Sequence, residues 1–197
     1  MPNAILLIGV LVASIGIFSY IRDTVRGKVK PNRVTWLLWA IAPLIATAAA
    51  ISDGVGWAVL PVFLSGFGPL LVFIFSFVNK DSYWKLGRLD YICGLFSVLA
   101  LILWAITNEP VIAIVFAIVS DAVAALPTVI KAWKYPETEN AGPFLSGLFT
   151  SSTAFTAISA FRISEIAFPI YLISINCVLI FSILRNRFRR QPKEALL

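Results

Sequence analysis

The run Pro110–Lys134, PVIAIVFAIVSDAVAALPTVIKAWK, is apolar throughout its first half yet carries one carboxylate, Asp121, near its middle. A charge at that depth in a membrane helix costs on the order of 3 kcal/mol, so such residues usually face a polar cavity or a partner. Lys131 lies about 15 Å further along the same helix, too far to neutralise it. The carboxylate could bind and release a proton in step with a solute, or pair with an ammonium group on the solute itself. The alternative is a structural hydrogen bond to a serine or threonine. Four more residues fall at a similar level when depth is counted from the run ends at 1.5 Å per residue. Asp121 is at about 16 Å and Asn176 at about 15 Å, with Ser14, Thr153 and Pro43 beside them. These five are the candidate solute-binding residues. Ser and Thr also bond within their own helices or join neighbouring ones, and an asparagine can do the same.

The remaining chemistry is sparse. The chain has no histidine, no HExxH, no GxSxG and no carboxylate pair within helical reach, so neither enzymatic activity nor a metal or cofactor site is expected. The two cysteines, Cys93 and Cys177, lie in apolar runs and read as small core residues.

Such groups need elements to hold them, and composition says which kind. Of 197 residues, 59% are hydrophobic and 13% charged, and the mean hydropathy is +0.90. Soluble domains carry about 25% charged residues. The expectation is an integral membrane protein with seven helical spans, near residues 4–21, 34–52, 57–78, 91–107, 110–133, 143–161 and 166–184. The first run has no basic residue before it and no clear small-residue cleavage site, so it reads as a retained helix.

Loop charge sets the orientation. Arg22, Arg26, Lys28, Lys30 and Arg33 follow the first run; Lys80, Lys85 and Arg88 the third; Lys131 and Lys134 the fifth; Arg185, Arg187, Arg189, Arg190 and Lys193 the last. Of the 16 basic residues only Arg162 falls on the other side. The positive-inside rule puts the N-terminus outside and the C-terminus in the cytoplasm, in the cell membrane. It also accounts for the net charge of +6 without nucleic acid, the basic tail touching anionic lipid.

Shifted by 108 residues, the first three runs fall on the last three without a gap, with nine identities over the 74 pairs from Pro2. So few identities prove little. The coincidence of run boundaries, loop lengths and the Asn32/Asn140 pair in one register carries more. That pair reads as a cap or turn before the next helix. Gly68 corresponds to Asn176 and is expected to leave space opposite it. Trp36 and Trp39 read as interfacial belt residues rather than a stacking platform. The organisation is thus 1–79, a three-helix unit; 80–109, a linker helix; 110–184, a second three-helix unit running the same way; and 185–197, a basic cytoplasmic tail.

This all-α, 3+1+3 parallel-repeat arrangement resembles the SWEET and PQ-loop transporter superfamily over essentially the whole chain. ALPTVIKAWKYPETENAG (residues 125–142) looks like the second PQ-loop segment and SYIRDTVRGKVKPNRVTWLLW (residues 19–39) like the first. The Pro-Gln pair itself is replaced by Pro127-Thr128 and Ser19-Tyr20. The resemblance implies helix prolines acting as hinges, here Pro127 and Pro43, and gives Asn176 the place of a substrate-binding asparagine. It implies a carrier for a small polar solute, a sugar or an amino acid, by alternating access, with the lipid bilayer, proton coupling and homo-oligomerisation as associated expectations. A non-transporting receptor or assembly factor on the same fold is the other reading.

Overall fold

A computed structural model describes residues 4–52, 60–82, 84–106, 110–153, 155 and 163–189. Among them are seven α-helices and no strand: α1 (Ala4–Val25), α2 (Arg33–Ser52), α3 (Leu60–Phe75), α4 (Arg88–Ile106), α5 (Pro110–Lys134), α6 (Gly142–Thr153) and α7 (Ile163–Arg189). Short 3-10 turns cover Lys80–Ser82 and Pro136–Thr138. The helix boundaries follow local chemistry. Gly27, at φ 75°, ends α1 with its N–H on the Thr24 carbonyl, a left-handed position that suits glycine. Asn32 starts α2, its Oδ1 accepting from the N–H groups of Val34 and Thr35. Asn140 does the same for α6 by accepting from Gly142 N–H at 2.7 Å. The segment holding Arg162 and the tail from residue 190 lie outside the described residues.

α3 lies against both α1 and α2, and α7 lies against both α5 and α6. α1 packs closely on α6 and α4 on α5, and α2 also touches α4 and α5. Residues 108 apart in the chain meet within this packing. Lys30 N–H donates to the Thr138 carbonyl at 2.8 Å, and the rings of Trp36 and Phe144 stand 6.4 Å apart. The two seams also correspond. Gly16 sits so close to α6 that a Cβ there would lie 2.9 Å from the Gly142 carbonyl. Its counterpart Ala124 offers its carbonyl to Thr35 Oγ1 on α2 at 2.7 Å. On the flank, Ser97 of α4 and Ser120 of α5 exchange hydroxyl-to-carbonyl bonds at 2.9 and 3.0 Å.

Among the described residues fourteen buried positions are polar or charged and fourteen hydrophobic, glycines and prolines apart. Many large apolar side chains face outward, including Leu11, Ile15 and Phe18 on α1 and Leu95, Phe96, Ile102 and Ile106 on α4. Leu7–Val25 is long and apolar enough to cross a membrane, and Phe63–Phe75 and Ile170–Arg185 are shorter apolar helices.

Candidate functional site

α5 has two faces. Val115, Val119, Leu126, Ile130 and Trp133 are exposed on one. At 100° per residue Asp121 lies about 150° around the helix from them, on the side of Ala124 and Thr128. Those two are fully buried against α2, where Thr128 Oγ1 donates to Thr35 Oγ1 at 3.0 Å. Asp121 therefore lies on the inner side of α5, half-buried between α2 and α7. Its Oδ2 accepts from the Tyr171 hydroxyl of α7 at 2.6 Å. The Trp39 indole N–H of α2 reaches its backbone carbonyl at 3.5 Å. Neither serine nor threonine bonds the carboxylate among the described residues; the tyrosine does.

Trp39 belongs to an aromatic cluster that the sequence places at the membrane surface and the structure places inside. Trp36 is only 2% exposed, packed 4.8 Å from the Tyr20 ring and 5.4 Å from Trp39. Phe144 closes the group, edge-on to Trp39 at 6.3 Å. The belt reading is corrected because the first turn of α2 is wedged against α1 and α6, not against the exterior.

The other candidates are dispersed. Ser14 Oγ donates to Val10 O in its own helix at 2.8 Å, about 160° around α1 from Gly16. Thr153 Oγ1 bonds Thr150 O and sits in the α1–α6 seam against Gly9. Asn176 Nδ2 donates to Leu172 O, and its amide packs on Gly147 of α6. Among the described residues, no hydrogen bond joins Ser14, Asp121 and Asn176 to one another. Gly68 leaves no space opposite Asn176, because Ile17 of α1 fills it at 2.9 Å from where a Cβ would stand. Pro43 and Pro127 both lie inside unbroken helices, half-buried and buried respectively. Cys93 is buried as expected, whereas Cys177 is exposed on α7, so its apolar run marks the outer face there rather than the core.

One constellation was not read from the sequence. Lys131, 1% exposed, pairs with Glu139, which also accepts from the Tyr20 hydroxyl at 2.6 Å. Lys131 Nζ further donates to the Lys30 carbonyl and lies 5.3 Å from the Trp84 ring. The pair thus ties α5, the α5–α6 loop, α1 and the α1–α2 loop together at the end where the basic loops gather. Asn140 adds a bond to Asp23 at 2.6 Å, and Asn32 one to Asp90. The signal was available: position 131 continues the inward stripe of Asp121, Ala124 and Thr128, which forces a lysine inside and demands an acid nearby.

A groove of about 380 Å³ between α5 and α7, walled by Val129, Trp133 and Phe181, opens on the apolar exterior, away from Asp121. No family model, curated protein or solved structure matches this chain.

Proposed function

We propose that the chain is a multi-pass carrier of the cell membrane, moving a small polar solute by alternating access between two three-helix units, residues 1–79 and 110–184. The observation that carries this reading is Asp121, a half-buried carboxylate inside an apolar bundle, bonded by Tyr171 of α7 with the Trp39 indole of α2 against the same turn. A group placed there changes surroundings when the two halves move against each other. The outward-facing apolar side chains and the polar interior support seven spans, since helices in lipid pack through small and polar residues. Contacts between residues 108 apart support a two-fold relation along the membrane normal. The basic loops then lie in the cytoplasm, and the Lys131–Glu139 end is the cytoplasmic one. Purified protein in sealed vesicles, screened for uptake of labelled sugars and amino acids, tests the reading. Saturable uptake above that of protein-free vesicles is expected. No uptake of any solute by folded protein favours the receptor or assembly role.

A further inference from the structure

We propose that the groove between α5 and α7 binds one anionic phospholipid, with an acyl chain against Trp133 and Phe181 and the headgroup phosphate held at Lys134 and Arg185. The inference takes from the carrier reading only its membrane placement and needs no transport.

The first observation is the groove itself. Its walls are Val129, Ile130 and Trp133 of α5 and Val178, Phe181 and Ser182 of α7. Ser182 brings the one polar side chain among these six, and its hydroxyl is spent on the Val178 carbonyl of its own helix at 2.7 Å. Nothing in the walls therefore asks for a polar ligand. The exposed rings of Trp133 and Phe181 stand 6.2 Å apart, bridging the two helices. From Val129 to Trp133 the groove follows α5 for about 6 Å, one turn. Its volume of about 380 Å³ falls in the lower part of the range for small-molecule sites, about 300–1,000 Å³. That accommodates the upper stretch of one acyl chain, the part just beneath a headgroup.

The second observation is the charge at one lip. Lys134, the last residue of α5, lines the groove and is exposed. The Arg185 guanidinium lies 4.2 Å from the centre of the Trp133 ring. It donates to the carbonyls of Ser182 at 2.7 Å, Ala132 at 3.4 Å and Trp133. Those acceptors are neutral. The ion pairs among the described residues are Arg22–Asp23 and Lys131–Glu139, so neither Lys134 nor Arg185 has an acid partner there. In sequence Arg187, Arg189 and Arg190 follow directly. Two cations thus stand over an apolar slot at the end of the bundle where the basic loops gather. Basic pockets between membrane helices on the cytoplasmic side suit phosphate headgroups in this way.

The third observation separates a lipid from a second copy of the chain. A two-fold axis along the membrane normal would set this lip against itself, lysine and arginine against lysine and arginine. No acid among the lining residues answers them. A zwitterionic lipid brings its own ammonium to the same lip, which offsets part of the attraction. A lipid with net negative charge matches both the slot and the lip.

The test uses the full chain purified in detergent and offered an equal mixture of dioleoyl phosphatidylglycerol and dioleoyl phosphatidylcholine. Native mass spectrometry counts the lipids retained. The parent is expected to keep one phosphatidylglycerol, preferred over phosphatidylcholine about tenfold or more. Lys134→Gln is expected to lower that preference about fivefold, the share of one lysine near an anionic surface. Lys85→Gln, at another exposed lysine, is expected to leave it unchanged. Val178→Phe fills the slot from its exposed side and is expected to remove the retained lipid while both cations stay. Equal retention of the two lipids by the parent overturns the inference, as does an equal loss in Lys134→Gln and Lys85→Gln, which means diffuse charge. Displacement of the lipid by glycerol 3-phosphate overturns it in favour of a free-anion site. Val178→Phe that dissolves a dimer and keeps the lipid assigns the groove to a second copy. A chain that alkaline carbonate strips from its membranes removes this inference and the carrier together. Lipid preference without uptake of any solute removes the carrier reading and leaves this one, and uptake without lipid preference does the reverse.

Discussion

Trp36 and Phe144, 108 residues apart in the chain, face each other across the middle of the bundle with ring centroids 6.4 Å apart and planes tilted by 35°. In the proposed two-unit repeat these are equivalent positions, and equivalent positions touch only close to the axis that relates the units. The same offset aligns Gly16 with Ala124, the two small residues at which each group of helices approaches the other.

Topology is the broadest prediction. A reporter fused after Leu197 is expected on the cytoplasmic side and one inserted between residues 53 and 54 on the external side, as the loop charges require. Protease protection in oriented membrane vesicles reads both. An external Leu197 contradicts the carrier geometry and the parallel repeat together.

The α1–α6 seam predicts unequal glycines. Gly16→Ala puts a methyl against the Gly142 carbonyl and the Ser146 side chain, and a backbone carbonyl cannot step aside. A loss of about 1–3 kcal/mol is expected. Gly9→Ala meets the Thr153 hydroxyl at 3.1 Å, which can rotate away, so its cost is smaller. Unfolding midpoints in detergent order the two; equal midpoints contradict the packing of this seam.

Lys131 and Glu139 are both sealed from solvent. Lys131→Met alone is expected to cost about 3–5 kcal/mol, because it strands a buried carboxylate. Adding Glu139→Gln removes that charge while keeping an acceptor for Tyr20, so most of the loss returns. A double variant as unstable as the single one means that packing, not charge, dominates there.

In a background lacking Cys93 and Cys177, a cysteine at 121 is expected to react with a small hydrophilic thiol reagent, since Asp121 faces inward and remains half-open. A cysteine at the neighbouring buried position 124 is expected to be silent. Ser14→Ala is expected to leave stability and solute uptake unchanged, its hydroxyl being spent on Val10 O. Labelling at 124 but not at 121 reverses the assignment of the open side of α5.

Seven apolar runs gave helix positions close to those observed, because hydropathy and proline position act locally. The run at residues 143–161 extends beyond the described residues, α6 being described to Thr153. Asn32 and Asn140 were readable as caps for the same local reason, though not the acids that their amides hold. The Trp36 and Trp39 placement was not readable. A tryptophan in the first turn of a membrane helix has the same local signature at the surface and at a seam, and only the neighbour decides. Gly68 misled likewise, since a missing side chain says nothing about whether Ile17 occupies the gap. Asp121 stood out as an interior acid, but its tyrosine partner came from a helix 50 residues away, beyond any local pattern.

The hydrogen bond from Lys30 to Thr138 joins backbone to backbone. It makes no demand on side-chain identity, and the two residues that form it are a lysine and a threonine. A junction built from peptide groups survives substitution of every side chain around it. Two halves fastened in this way can diverge until only nine of 74 aligned positions agree and still meet at the same point. The meeting point then depends on the peptide geometry of the two loops and not on which side chains they carry.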